Sequence, residues 1–517
     1  ACPVGGNIAL WIQQVKEKDY HAAWLTLTRN NPYPAIAGRI CHHPCEPACN
    51  RKKYDEAISI CGLERFVGDM ALKENWSFPA VPITKREKVA IVGGGPAGLT
   101  AAFHLRQAGY AVTIFETKEK LGGLLRYGIP SYRLGKDILD KETQRILELG
   151  IDVQTNSSIN SQQDYKALQK EYDAVYLATG AAKAKRLPIL DYEKDWAIDS
   201  AEYLALTNSG EAVDTGQRVV VIGGGSAAMD VARTARRFDK EIIMLTLEPE
   251  TELPCQEEEV LESKEEGITL INAAMLQSVT DNGDQGLLLN CIKIEFIKGD
   301  ERGQFSLSEI KGSEFTLEAD SIVSSIGQDP DLNELGKMLE SNGSLIKIND
   351  KQETSIDGVF AGGDAASMER FVTHAFGMGK DVSREIDNYL HPDTPQDNKK
   401  RINRYLQEER TAQSRDSAMD VNMEVINTYY YDHLARENQE IVSVAERLTN
   451  FNETQLNFSI EAALKEVDRC FSCGNCIFCD NCVYYCPDMA ITKTEQGYEV
   501  NDDFCKGCGL CVSECPT

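Results

Sequence analysis

The chain has 517 residues, 42% hydrophobic and 26% charged, the balance of an ordinary globular protein with room for about three or four domains. Its formal charge of -27 repels phosphate backbones and argues against nucleic acid as a partner, while leaving room for a docking protein with a basic face. No stretch reaches the roughly 18–20 uninterrupted apolar residues of a membrane span, and ACPVGGNIALWI lacks the features of a secretory signal, so a cytoplasmic location is expected.

The first 80 residues read as helical. NIALWIQQVKEKDYHAAWLTLTRNNP has helical apolar spacing that ends at Asn-Pro, and DEAISICGLERFVGDMALKEN is a second amphipathic run. From Lys88 the pattern becomes strand, Gly-rich turn, helix, and it occurs twice. KVAIVGGGPAGLTAAFHLRQAGYAVTIFE is followed about 130 residues later by RVVVIGGGSAAMDVARTARRFDKEIIMLTLE, and both open on the continuous apolar strands of a buried parallel sheet. Further strand-like runs, YDAVYLATG and DGVFAGGD, precede a polar linker from about Pro392 to Asp416, a helical segment to about Val467 and a cysteine-rich tail.

In the first unit Gly93 allows the tight turn, Gly95 lets the backbone approach a pyrophosphate, and Gly98 lets helix and strand pack closely, with the helix N-terminus facing the anion. The next strand ends in Glu116, eighteen residues past Gly98, where a carboxylate can accept from a ribose diol. The second unit has Gly223, Gly225 and Ala228 around Ser226 and Ala227, and alanine is an accepted third residue. The bland alternative, a tight turn without a ligand, is disfavoured by the strand–turn–helix context and the acidic residue that follows. Two dinucleotide sites in one chain predict cofactors that face each other, commonly for hydride transfer from a nicotinamide to a flavin.

The 17 cysteines are unevenly spread, and in a reducing compartment they are no disulfide framework. Cys2, Cys41, Cys45, Cys49 and Cys61 lie near the start, Cys255 and Cys291 stand alone as structural residues, and the rest crowd between Cys470 and Cys515. Cys476, Cys479, Cys482 and Cys486-Pro form C-x2-C-x2-C-x3-C-P, repeated by Cys505, Cys508, Cys511 and Cys515-Pro. The repeat predicts two [4Fe-4S] clusters, one on Cys476, Cys479, Cys482 and Cys515 and the other on Cys505, Cys508, Cys511 and Cys486, because each run's fourth cysteine ligates the other cluster. Zinc sites rarely continue to a third cysteine and a Cys-Pro. Cys470 and Cys473 are surplus to both clusters, readable as a lid over the first or a docking edge for a partner.

The runs GGLLRYGIPSYRLGKDIL (Gly122–Leu139), DAVYLATGA (Asp173–Ala181) and TSIDGVFAGGDAA (Thr354–Ala366) resemble the small subunit of glutamate synthase and its relatives, over residues 1 to about 390. The resemblance implies an α/β fold of two nested Rossmann-like domains: an FAD domain over 81–200 and 326–392, interrupted by an NAD domain over 201–325. A helical Fe-S domain over 1–80 would precede them, and a linker and helical segment over 393–467 would lead to a ferredoxin-like domain over 468–517. It places Pro96 and Ala97 at the FAD pyrophosphate and Gly123, Leu124 and Arg133 along the flavin. Ile159 would lie near the adenine, Asp364 at the ribityl or phosphate region and Thr373 at the isoalloxazine edge, with Thr179, Gly180 and Gly363 in the same site.

It also implies an N-terminal cluster on Cys2, Cys41 and Cys45 with Glu64 as an oxygen ligand. Cys61, one turn from Glu64, is the alternative. Cys49 would serve a second cluster whose other ligands precede Cys2. Members of the family that use NADPH carry an arginine pair where this chain has Leu247 and Glu248. A carboxylate there repels a 2'-phosphate and accepts from a 2'-hydroxyl, which predicts NADH.

RCFSCGNCIFCDNCVYYCPDMAI resembles the tails of iron–sulfur flavoproteins that work with dissimilatory siroheme sulfite reductase in sulfur oxidation. The implied activity is an oxidoreductase exchanging electrons between NAD(H) and a protein partner through FAD and [4Fe-4S] clusters. No side-chain nucleophile or general base is expected, and the protein is a candidate homodimer. The rival readings are the small subunit of glutamate synthase or an accessory subunit of another ferredoxin-linked oxidoreductase, and a zinc-stapled interaction protein.

Overall fold

Four helices build the N-terminal unit of the computed structural model, which describes residues 1–299, 304–332, 337–392, 421–494 and 497–517. They are α1 (Ile8–Lys16), α2 (Tyr20–Thr28), α3 (Pro34–Ile40) and α4 (Ile60–Lys73), packed around Trp11, Trp24, Phe66 and Val67. The first amphipathic run, expected as one helix, is two. Lys18 takes a φ of 62°, and Asp19 then caps α2 by accepting from the Ala22 N–H at 3.0 Å. α3 leaves no periodic signal in the sequence. It begins on Pro34, which forfeits no hydrogen bond in a first turn, and is too short to show a period.

The next unit holds β1 (Lys88–Val92), α5 (Pro96–Gln107), β2 (Ala111–Phe115), α6 (Leu124–Tyr127), α7 (Lys136–Leu147), β3 (Asp152–Gln154), α8 (Gln162–Glu171) and β4 (Ala174–Leu177). Its parallel sheet runs in the order Val359–Ala361, β4, β1, β2, β3, so the last strand arrives from beyond the second unit and the domains are nested as expected. β1 is buried from Val89 to Val92, which is why it reads as an unbroken apolar run.

The second unit contains α9 (Ser200–Asn208), α10 (Ser226–Arg237) and α11 (Glu257–Glu265) on a parallel sheet in the order Ala197–Asp199, Ser321–Ser324, Arg218–Ile222, Glu241–Leu245, Thr269–Ile271. An antiparallel group within residues 274–319 is built around the long strand Leu287–Lys298. Ala197–Asp199 thus joins the second sheet ahead of the expected break at 200, and the crossing is made by Lys183–Ala184 pairing with Gln328–Asp329. A last long helix, α12 (Val372–Leu390), returns to lie along α5.

Residues 421–459, expected to be helical, contain only short helices at Met423–Val425, Thr428–Tyr430 and Val444–Arg447, followed by a true helix at Ile460–Asp468. The segment lies over the N-terminal unit and finds its backbone partners there. Arg51 donates to the Asp432 carbonyl at 2.6 Å and the Tyr54 hydroxyl to that of Tyr431 at 2.7 Å. Most of the expected linker falls within 393–420, outside the described residues. Among the described residues no helix is long and apolar enough to cross a membrane.

Candidate cofactor sites

At the end of β1, Gly93 takes a φ of 110°, and a side chain there would meet the Ala178 carbonyl oxygen at 2.3 Å. Three glycine turns converge on the start of α5: a Cβ on Gly123 would stand 3.0 Å from Gly95 and 3.8 Å from Pro96, and one on Gly363 3.0 Å from Ala97. This backbone-lined cradle at a helix N-terminus suits a pyrophosphate, which needs N–H groups and close approach. Thr179 and Gly180 follow β4 beside Gly93, and Asp364 lies in the short turn Gly363–Ala365. Glu116 is buried, accepting from the Gly94 N–H and the Lys118 N–H, both at 2.8 Å. The loop carrying Ile159 is tied to it by the Ser157 N–H donating to the Glu116 carbonyl at 2.9 Å. Leu124 opens α6 directly after Gly123. Gly95, Pro96, Ala97, Gly123 and Gly363 therefore surround one place, and its close-approaching backbone fits a dinucleotide pyrophosphate.

The second unit repeats this geometry. Gly223 has a φ of 136°, and a Cβ there would meet the Ser325 carbonyl oxygen at 2.2 Å. A Cβ on Gly94 would lie 3.1 Å from Glu116 Oε2, and one on Gly224 3.0 Å from Glu248 Oε2. Glu248 thus stands at its turn as Glu116 stands at the first. Burial raises its pKa, partly countered by a backbone N–H. Gly225 opens α10 without crowding, Ala227 follows, Ala228 is buried, and Ser226 donates to Glu259 at 2.7 Å.

Arg133 departs from expectation. Its guanidinium is directed at the second unit, pairing with Asp230 and Glu259, each at 2.8 Å, rather than along the flavin site. Both carboxylates are buried, so this one cation ties the two dinucleotide units together. Replacing Arg133 with methionine should cost about 3–5 kcal/mol in a denaturation measurement, because two buried carboxylates lose their counter-charge. A change below about 1 kcal/mol would show that the pair is not a structural tie.

Cys2, Cys41, Cys45 and Glu64 come together between α3, α4 and the chain start. Burial, then Glu64, raises the pKa of all three thiols, Cys41 to about 12, and burial raises Glu64 to about 7 against the Asn31 amide, which donates to it at 2.7 Å. Acidic groups that disfavour one another's charged forms are a donor set that a cation would stabilise. Cys61, the alternative ligand, donates its thiol to the Ala37 carbonyl at 3.8 Å and is partly buried beside the same set, its pKa raised by burial and then by Cys41 and Glu64. Cys41 also donates to the Thr373 hydroxyl at 3.8 Å, so this set borders the residue expected at the flavin edge. That contact had no signal in the sequence, since the two residues are 332 positions apart.

In the tail, Cys476, Cys479, Cys482 and Cys515 line one small cavity with Ile477 and Tyr498. Cys486 and Cys505 are linked through the hairpin: Ala490 N–H donates to Cys486 Sγ at 3.3 Å, Asn501 N–H to the Ala490 carbonyl at 2.7 Å, and Cys505 N–H to the Asn501 carbonyl at 3.0 Å. Cys508 and Cys511 complete the second run, flanking the left-handed Gly509. Among the described residues no three His, Cys, Asp or Glu side chains are placed to hold a single metal ion. Thiolates that hold a cubane each bind a different iron and so need not converge on one point.

Residues 87–379 match the pyridine nucleotide-disulphide oxidoreductase family, residues 1–76 match dihydropyrimidine dehydrogenase domain II, 4Fe-4S cluster, and residues 498–517 match the 4Fe-4S binding domain. The chain belongs to the pyridine nucleotide-disulphide oxidoreductases. It is 31% identical to the NADP(+)-dependent formate dehydrogenase subunit beta of Moorella thermoacetica, over 91% of this chain and 69% of that one. It is likewise 31% identical to the glutamate synthase [NADPH] small chain of Bacillus subtilis, over 75% and 85%. The NAD-dependent dihydropyrimidine dehydrogenase subunit PreT of Salmonella typhimurium is 28% identical over 75% and 90%. The fold also matches Mycobacterium tuberculosis FprA in complex with NADPH, with a TM-score of 0.50 at 16% identity over 75% of this chain and 100% of that one. The chain is an iron–sulfur flavoprotein pyridine nucleotide oxidoreductase that transfers electrons.

Proposed function

We propose that this oxidoreductase exchanges electrons between NADH and a protein partner in the cytoplasm, and that the partner is a dissimilatory siroheme sulfite reductase. The observation that supports NADH is the position of Glu248 at the second glycine turn, matching Glu116 at the first. A carboxylate there accepts from a ribose 2'-hydroxyl and repels a 2'-phosphate. The partner rests on the resemblance of the tail around Cys476–Cys486.

Within this reading the chain's own residues bind and orient. Gly93, Gly95, Pro96, Ala97 and Gly98 offer backbone to one pyrophosphate, and Gly223, Gly225, Ser226, Ala227 and Ala228 to the other. Arg133 holds the two units in register. A bound flavin supplies the change from paired to single electrons that iron–sulfur groups require. Cys2, Cys41, Cys45 and Glu64, beside Thr373, would hold the nearest cluster.

Anaerobic titration of the purified protein should bleach the flavin with NADH at concentrations at least tenfold lower than with NADPH, and the reverse order would overturn the NADH assignment. Replacing Leu247 and Glu248 together with arginine should shift the NADPH/NADH ratio of kcat/KM by on the order of ten- to a hundredfold, the value of charge-assisted hydrogen bonds to a phosphate. NADH-driven reduction of isolated sulfite reductase tests the partner; flavin reduction without any onward transfer would sink it.

A further inference from the structure

Helix α12 turns one stripe of residues toward the start of the chain. Thr373, Gly377 and Lys380 follow one another at the steps of four and three residues that share a helix face. Each of them meets the N-terminal set. Cys41 donates to the Thr373 hydroxyl at 3.8 Å, a Cβ on Gly377 would stand 2.9 Å from the Pro3 carbonyl oxygen, and the Lys380 ammonium donates to the Val4 carbonyl at 2.6 Å. The peptide that receives Lys380 on its oxygen sends its N–H, that of Gly5, back to the Cys2 carbonyl at 3.0 Å, which closes the turn carrying Cys2. Gly5 takes a φ of 66° there, and a Cβ on it would lie 3.8 Å from the ammonium.

Lys380 also reaches the turn behind Glu64. It donates to the Asn30 side-chain oxygen at 2.7 Å, and the next residue, Asn31, donates to Glu64 at 2.7 Å. Both acceptors of this partly buried cation are neutral, whereas a charge withdrawn from water calls for a counter-charge. The adjacent carboxylate, Asp381, is about half-exposed and pairs with Arg384 at 3.5 Å. Burial lowers the Lys380 pKa, with Asp381 and then Cys2 acting against it, so the remaining negative group in its surroundings is the Cys2 thiolate.

We propose that Lys380 is a positioning residue for a cluster on Cys2, Cys41, Cys45 and Glu64: it seats the Cys2 and Glu64 loops on α12 and supplies a fixed positive charge that raises the potential of that cluster. This role rests on the reading of those four residues as a cluster site. One-electron reduction adds a negative charge, which a nearby cation stabilises, and net charge and hydrogen bonding are what set cluster potentials. Because α12 also carries Thr373, one helix sets both the charge and the placement of the cysteine set against the expected flavin edge.

The test is a redox titration of the whole chain after anaerobic reconstitution with iron and sulfide, read by electron paramagnetic resonance on the signal that Cys41→Ala removes. Lys380→Gln keeps a hydrogen-bond donor without the charge, and at full iron content its cluster should be about tenfold harder to reduce, a fall of ~59 mV in the one-electron midpoint. Lys380→Arg keeps the charge and should stay within about threefold of the unaltered protein, or ~28 mV on the same scale. Lys347→Met, which removes the same charge at an exposed pair with Glu340, should leave the midpoint unchanged. Iron lost from Lys380→Gln but kept in Lys380→Arg would also support the role, since the charge would then decide whether the cluster is held at all. An unchanged midpoint in Lys380→Gln, or an equal fall or equal loss of iron in Lys380→Arg, would overturn it, because the lysine would then act by packing alone. Full iron in Cys41→Ala would overturn the cluster site itself, and the role of Lys380 with it.

Discussion

Replacing Arg469 with methionine should loosen the tail from the N-terminal unit and lower stability by about 3–5 kcal/mol, the cost of breaking a buried ion pair from one side. Its side chain is 1% exposed and donates to Glu466 at 2.8 Å and to Asp55 at 3.0 Å. It also donates to the carbonyls of Leu434, Glu56 and Ala57, so five acceptors lose one donor. Glu466 is fully buried and holds the Ser59 N–H at 2.7 Å and the Glu437 N–H at 2.8 Å, so its uncompensated charge would strain the N-terminal end of α4 as well. Chemical denaturation should show the loss, and limited proteolysis should cut within 421–468. The tail keeps its own cysteines, so its iron should stay while its reduction by nucleotide slows more than tenfold. A variant with unchanged stability and proteolysis would mean that the tail is docked by something other than this arginine.

Gly98→Ala should empty the flavin site while sparing the second unit. A Cβ on Gly98 would stand 2.0 Å from the Gly93 carbonyl oxygen and 3.1 Å from Ile91, so α5 must move off β1 and carry the pyrophosphate cradle with it. Overpacking of this kind costs about 1–3 kcal/mol, enough on its own to lower cofactor affinity roughly ten- to a hundredfold. The second unit already carries Ala228 at the matching position, buried without exposure, so its helix and strand are set for a methyl group. The ratio of flavin to protein absorbance checks the expectation, and Ala228→Gly is the control that should retain flavin. Full flavin occupancy in Gly98→Ala would show that α5 relaxes without disturbing the site.

What could be read along the chain was set by short-range chemistry. The glycine turns were legible because a tight strand-to-helix turn over a pyrophosphate tolerates few residues, and Glu116 and Glu248 because a ribose lies at a fixed reach from that turn. The tail repeat was legible because cluster ligands sit at fixed spacing on one loop. Each of these features lies within about forty residues of chain, where geometry leaves the side chains little choice.

Other features depended on which distant residues met. Lys18 and Asp19 split the first helical run, and residues 421–459 abandoned helix because the N-terminal unit offered their backbone other partners. Arg133 turned from the flavin site to Asp230 and Glu259, since two buried carboxylates hold a guanidinium more firmly than solvent does. The sequence by itself determined that dinucleotide turns and iron–sulfur loops exist here, because those depend on local backbone geometry. Only the tertiary structure decided that the turn at Asn50 and Arg51 meets the turn from Arg469 to Cys473, because hydrogen bonds from Asn50, Arg51 and Arg469, and no local spacing, bring segments more than 400 positions apart together.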